Sequence, residues 1–117
     1  MNRWILIALS SLLSLGTLST SQAQDKYPSK PVTLIVPQAA GGANDAIARV
    51  IAQKLTEQTG QSFIVDNRTG AGSNLGPEFV AKSPADGYTL LQMTISHAVN
   101  VTLYKSLAYD LLRDFAP

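Results

Sequence analysis

The stretch from Val32 to Leu55 constrains this chain most, because an apolar strand breaks there at a loop of small residues and restarts as a helix. Val32-Thr33-Leu34-Ile35-Val36 is a short, β-branched apolar run, and Pro37 ends it. Gln38-Ala39-Ala40-Gly41-Gly42-Ala43 then adds almost no side-chain bulk. From Asn44 onward Ile47, Ile51 and Leu55 recur every four residues, with Ala48, Val50 and Ala52 widening the apolar stripe, so a helix is predicted with that stripe on its core face. Such a loop lets backbone N–H groups approach a ligand, and the helix that follows aims the positive end of its dipole at the same place. The unit can hold an anion such as a carboxylate. The plain alternative is a strand-to-helix turn in an α/β core, since a fold does not by itself specify a function.

The first residues read as an export signal. Met1-Asn2-Arg3 carries one positive charge, Trp4 to Leu18 is uncharged and rich in Leu, Ile, Ala and Ser, and Ser19-Thr20-Ser21-Gln22-Ala23 is small and polar. Small residues at Ser21 and Ala23 suit a signal peptidase, so residues 1–23 are assigned as the signal peptide and Gln24 as the mature start. An uncleaved anchor is the alternative, but the apolar run falls short of the roughly 20 residues a spanning helix needs. A periplasmic destination follows, with no direct membrane insertion after cleavage. The chain has no cysteine, which excludes disulfides, thiolate metal sites and a cysteine nucleophile. Nine Lys and Arg stand against eight Asp and Glu, and loss of Arg3 with the signal (nine minus one) leaves the mature chain formally neutral. Scattered charges without a basic block give no footprint for nucleic acid. Any anion must be held by locally placed donors.

Further elements follow in alternation. Gly60 is a helix stop, Ser62 to Asp66 a second strand, and Asn67-Arg68-Thr69-Gly70-Ala71-Gly72-Ser73 a polar, glycine-rich loop. A short helix is predicted over Asn74 to Lys82, with Ser73 or Asn74 as N-cap and Pro77-Glu78 in its first turn. Ser83 to Gly87 is a turn cluster, Tyr88 to Met93 a third strand and Ser96 to Tyr104 one more short helix. Alternating strands and helices imply a parallel sheet covered on both faces. Three strands make a thin sheet with an open edge. Residues 24–117 are therefore expected to form part of a larger ligand-binding lobe rather than an independently stable unit.

At this point an ordered set of motifs carries a resemblance. Lys30-Pro31-Val32 through Pro37, the double glycine before Asp45, Asp66-Asn67-Arg68 with Gly70-Ala71-Gly72, and Asp86-Gly87-Tyr88-Thr89-Leu90-Leu91 occur in this order. His97-Ala98-Val99-Asn100, Leu103-Tyr104 and Arg113-Asp114-Phe115-Ala116-Pro117 follow. Together they resemble the N-terminal portion of the Bug-type substrate-binding proteins, the TctC family of tripartite tricarboxylate transporters. The resemblance covers essentially the whole mature chain. It implies an exported receptor of type II periplasmic-binding-protein fold, whose two lobes close on a small carboxylate or related metabolite and pass it to membrane transporter subunits. On that basis this chain is the N-terminal part of the first lobe, with the second lobe missing. Gln38-Ala39-Ala40 stands where the family usually has Pro-Phe-Pro, Ser73 replaces a common glycine, Ala108 to Leu112 lacks a frequent proline, and the loop before His97 is short. An amide at Gln38 in place of an aromatic points to a different or more polar ligand.

The candidate ligand-binding residues are Gln38, Ala39, Ala40, Gly41, Gly42, Ala43, Gly72, Ser73, Asn74, Thr94, Ser96 and His97. Their loops follow the carboxyl ends of the three strands, where ligands of parallel α/β sheets bind. Gly41 and Gly42 both permit positive φ. No phosphate-loop or dinucleotide glycine pattern is present, so no nucleotide is expected. Asn44 and Asp45 are expected to cap the first helix and to leave anion contact to N–H groups. Arg68 is expected to pair with Asp66 or Asp86 as a clamp. His97 is the only histidine, its adjacency to Ser96 is no sign of a nucleophile–base pair, and no Gly-x-Ser-x-Gly elbow or His-Glu-x-x-His run occurs. A capping or structural histidine is the better assignment, with no catalytic residue, metal or cofactor. The sequence thus gives an α/β, parallel-sheet lobe that binds a small carboxylate without chemistry. A fragment without binding activity and a secreted serine hydrolase using Ser96 and His97 are the alternatives.

Export is tested directly. Mass spectrometry of protein recovered from the periplasmic fraction should give a mature N-terminus at Gln24, and recovery of intact Met1 there would exclude the assignment.

Overall fold

A computed structural model describes residues 26–117, and the assigned signal peptide with its cleavage after Ala23 lies outside the described residues. Three strands form one parallel sheet. β1 (Val32–Val36) is central, with β2 (Phe63–Asn67) on one side and β3 (Thr89–Leu91) on the other. The register pairs Leu34 with Val65 and with Leu90. Val32, Ile35 and Val36 are fully buried, each such side chain contributing about 1.5–3 kcal/mol. That burial on both faces is what places β1 in the middle.

Helix α1 (Ala43–Thr59) joins β1 to β2 and ends at Gly60, whose φ of 75° and N–H bond to Thr56 O at 2.9 Å close it as the sequence predicts. The predicted core stripe needs correction. Ala48 and Ala52 face the sheet at 0% and 4% exposure, whereas Ile47 and Ile51 stand 53% and 46% exposed and Val50 is exposed as well. Small residues win the sheet-facing positions because they let the helix axis lie close to the strands. Ala48 there joins Leu34, Val36, Val65 and Leu90 in one cluster.

Helix α2 (Leu75–Ala81) covers the other face. Its Gly76 lies against Ile35 and Pro37, and Ile35 alternates with Leu34 and Val36 along β1, so the two helices sandwich the sheet. Helix α3 (Ile95–Leu103) follows β3 and docks on the turn that leads into α2. The second and third strands differ from expectation at their ends: β2 starts and stops one residue later, and β3 is shorter by Tyr88 at its start and by Gln92 and Met93 ahead of Thr94, which caps α3.

The α2–β1 approach carries a prediction. A Cβ on Gly76 would lie 2.9 Å from Pro37 Cγ and 3.1 Å from Pro37 Cβ, and a pyrrolidine ring cannot rotate away. Gly76→Ala should destabilise by about 1–3 kcal/mol, as overpacked cores do. An unchanged urea midpoint would show that the layers separate without cost.

Candidate functional site

The loop between β1 and α1 is fixed by a carboxylate within the helix. Gly41 adopts φ +82°, but Gly42 does not: its φ of −78° and ψ of 172° make it an extended N-cap. Gly41 N–H donates to Asp45 Oδ2 at 2.8 Å, and Gly42 N–H donates to Ala39 O at 3.3 Å. Asp45, only 3% exposed, also accepts from Arg49 Nε at 2.9 Å and from Asn67 Nδ2 at 3.0 Å. The hydrogen bond from Arg49, then those from Gly41 and Asn67, hold its pKa down at about 2 against the opposing effect of burial. The expected capping by Asn44 and Asp45 is therefore corrected. Neither side chain caps the helix end, and Asp45 reaches back one residue further to tie down the loop. The amides of Gly41 and Gly42 are engaged, leaving those of Ala43, Asn44 and Asp45 at the helix N-terminus without an intrahelical partner.

Asn67 joins this loop to the next. Its Nδ2 donates to Gln38 O at 3.1 Å as well as to Asp45. Arg68 is a clamp: Nε donates to Asp66 Oδ2 at 2.9 Å, and the guanidinium lies 3.5 Å over the Phe79 ring. Asp66, not Asp86, is its partner. Then the backbone turns left-handed through Gly70 (φ 127°), Ala71 (48°), Gly72 (65°) and Ser73 (69°). Positive φ is unfavourable for Ala71 and Ser73. Asn74 Nδ2 donates to Ala71 O and Asn100 Nδ2 to Gly72 O, both at 2.9 Å, and His97 Nε2 faces Ser73 O at 3.2 Å. Among the described residues the amides of Gly70, Ala71 and Gly72 make no hydrogen bond, and all three residues are exposed.

The third strand ends in a capped helix. Thr94 N–H donates to His97 Nδ1 at 2.9 Å, which makes Nδ1 an acceptor and places the imidazole proton on Nε2, the atom facing Ser73 O. His97 is fully buried with both nitrogens committed, the structural role read from the sequence. Ser96 Oγ bonds Thr94 Oγ1 at 2.7 Å rather than the imidazole, so the arrangement a serine nucleophile requires is not formed. Asn74 is buried and its Oδ1 accepts from Asn100 Nδ2 at 2.9 Å and Tyr109 Oη at 2.7 Å. Its side chain is fully used within the fold. Asn100 and Tyr109 were not among the candidates; the three-residue spacing of His97 and Asn100 on one helix face was the available signal.

All three candidate loops thus lie side by side at the carboxyl end of the sheet. The chain leaves β1 toward the α1 face and leaves β3 toward the α2 side, the crossover geometry at which α/β folds bind ligands. Gln38 and Gln92 stand at these two strand ends, and the side-chain oxygen of each is buried without a partner among the described residues. A groove of about 600 Å³ lies elsewhere, along the outer edge of β3 between Ile51, Leu55, Val80, Leu90 and Phe115. It is apolar and lacks the amides of the loops, and it marks the open sheet edge rather than an anion site.

Residues 47–117 match the model of TctC, described as the tripartite tricarboxylate transporter family receptor. A UPF0065 protein from the TAR-I ttuE-ttuC' intergenic region of Agrobacterium vitis is 49% identical over 96 residues, covering 82% of this chain and 28% of that protein. Protein BugT of Bordetella pertussis is 38% identical over 115 residues, 97% of this chain and 35% of BugT. Among solved structures, MatC from Rhodopseudomonas palustris with bound malate is similar at a TM-score of 0.74 and 37% identity, over 78% of this chain and 31% of that one. A second R. palustris protein, solved with adipate, gives 0.64 and 42%, over 72% of this chain and 28% of its own length. The chain spans about a third of the length of the curated relatives it matches.

The Asp45 junction should be visible in the acid limb of stability. Its pKa is lowered from 3.8 to about 2 on folding. The stabilisation is thus fully present above the unfolded value and is lost as pH falls through the folded one. Thermal midpoints followed from about pH 5 to about pH 2 should fall more steeply for the native protein than for Asp45→Asn. Parallel curves would show that the carboxylate does not hold the loop.

Proposed function

We propose a function for this chain, which belongs to the TctC family of tripartite tricarboxylate transporter receptors: it supplies part of a periplasmic site that captures a small carboxylate. The observation that carries this reading is the left-handed turn at Gly70–Gly72. Three exposed amides there have no partner among the described residues, and the N-terminus of a 17-residue helix opens at the end of the neighbouring strand. Both lie at the carboxyl ends of adjacent parallel strands. Carboxylate oxygens match such donors, and helix N-termini favour negative charge. Two structural relatives were solved with dicarboxylates, malate and adipate.

Within this reading the ligand carboxylate is held by the amides of the Gln38–Ala43 loop that remain once Gly41 and Gly42 are engaged, by the α1 N-terminus and by amides around Gly72, with the hydroxyls of Thr94 and Ser96 nearby. Gln38 sets selectivity through its amide. The protein acts by binding alone, because His97 and Ser96 are committed to other partners. It is exported through residues 1–23 and hands its ligand to membrane subunits of the transporter, with further contacts from the length that its relatives carry in addition.

Isothermal titration with malate and adipate tests this in protein that also carries the further length its relatives have, because this chain supplies only part of the site. Gly42→Val should fold, since Gly42 has an ordinary φ, although a Cβ there would lie 3.3 Å from Ala39 O and the exposed Ala39 backbone must yield by a few tenths of an ångström. It should weaken binding about tenfold or more, the equivalent of about 1.4 kcal/mol, by closing off the neighbouring amides. Gln38→Phe should change the preference between the two acids while leaving the fold intact. Native affinity and selectivity in both folded variants would place the ligand elsewhere.

A further inference from the structure

Resting on that reading, we propose that His97, Asn100 and Tyr109 are positioning residues that hold the Gly70–Ser73 turn, and with it the outward amide of Gly72, toward the ligand by binding the carbonyls of that turn. Three successive carbonyls are each taken by a buried side chain. Ala71 O accepts from Asn74 Nδ2, Gly72 O from Asn100 Nδ2, and Ser73 O faces the protonated Nε2 of His97. A trans peptide unit is planar, with its C=O and N–H pointing in opposite directions. Locking the Ala71 carbonyl inward therefore turns Gly72 N–H outward, and the Gly70 carbonyl, which accepts from Leu75 N–H at 3.5 Å, does the same for Ala71 N–H.

The cluster leaves no slack. Asn100 uses both hydrogens of its amide, one on Gly72 O and one on Asn74 Oδ1, each at 2.9 Å. Tyr109 Oη donates to the same Asn74 oxygen at 2.7 Å, so the Asn74 amide is oriented with its NH₂ group toward Ala71. All four side chains are buried, where hydrogen bonds meet little competition from water. Tyr109 also packs edge-on against Phe115, with ring centroids 5.9 Å apart. The hydroxyl of Tyr104 fills the space a Cβ at Gly72 would need. The segment after α3 thereby becomes part of the site although none of its residues need touch a ligand. Ala71 and Ser73 would leave the left-handed region without this hold, because L-residues disfavour it.

Two pairs of measurements separate positioning from general stability. Asn at position 97 places an acceptor where Nδ1 stands and so keeps the Thr94 N–H bond, but it cannot reach Ser73 O; Gln reaches as far as Nε2 and suits the third position of a capping box. His97→Asn and Tyr109→Phe should therefore each weaken malate binding about two- to tenfold, the effect of one hydrogen bond, in protein that still unfolds cooperatively at a lower midpoint. His97→Gln should recover affinity relative to His97→Asn. In the ligand-free full chain, nuclear magnetic resonance shifts of Ala71 and Ser73 should lose their left-handed signature in the two weakened variants and keep it in His97→Gln. Retention of that signature in His97→Asn and Tyr109→Phe overturns the proposal, as does its loss with malate affinity unchanged. If the native protein binds neither malate nor adipate, the carboxylate reading fails, and the ligand-free signatures still decide whether these residues position the turn.

Discussion

The last two carbonyls of β1 hold the loops on either side of it. Val36 O accepts the N–H of Arg68, and Ile35 O accepts that of Gln92, both at 2.9 Å. These bonds extend the ladders just past the neighbouring strands, so the chain leaves all three strands at nearly the same level. A parallel sheet with both faces covered makes that level rigid, since a one-residue slip would exchange the α1-facing and α2-facing side chains. Leu34 and Val36 could not trade places with Ile35 without burying the wrong surface against Ala48 and Gly76. The candidate site is thus a consequence of register before it is a consequence of loop chemistry.

Within the loops, polar side chains satisfy the backbone selectively. Asp45 and Asn67 bind the first loop, while Asn74, Asn100 and His97 bind the second. In the second loop the engaged groups are carbonyls, and the groups left toward solvent are N–H donors. Neither nearby arginine adds a free positive charge: Arg49 pairs with Asp45, and Arg68 pairs with Asp66 and stacks on Phe79. Any attraction for an anion would then be built from oriented backbone dipoles, since the sequence as a whole carries a formal charge of only +1. Dipolar donors of this kind act at hydrogen-bonding distance and in fixed directions, so geometry counts for more than long-range steering.

Much of this was legible in the residues because it follows from local pattern. The β-branched run at Val32–Val36, the small-residue break after Pro37 and the helix stop at Gly60 each have one local cause. So does the alternation that makes the sheet parallel. What could not be read depends on distant partners. Ala71 and Ser73 carry no local signal for left-handed backbone; their conformation is imposed by side chains that follow in α3 and beyond. Asp45 looked like an ordinary capping residue because its bond to Asn67 spans 22 positions. The sheet-facing side of α1 was misjudged for another reason: periodicity ranks large apolar residues first, whereas the contact with the strands is made by alanines.

That last difference has a functional side. Asp45, Ala48 and Ala52 are the buried residues of α1, spaced three and four apart along one face. The alanines let the helix lie against the sheet closely enough for Asp45, one turn before Ala48, to meet Asn67 at the end of β2. Larger side chains at Ala48 or Ala52 would lift the helix and draw the carboxylate away from Asn67, and the Gly41 loop with it. The exposed Ile47, Val50 and Ile51 are the counterpart of that close approach, since a helix seated on its small residues turns its large ones outward. Packing of α1 thereby sets the position of its N-terminus, and the N-terminus is the part of the helix that borders the candidate site.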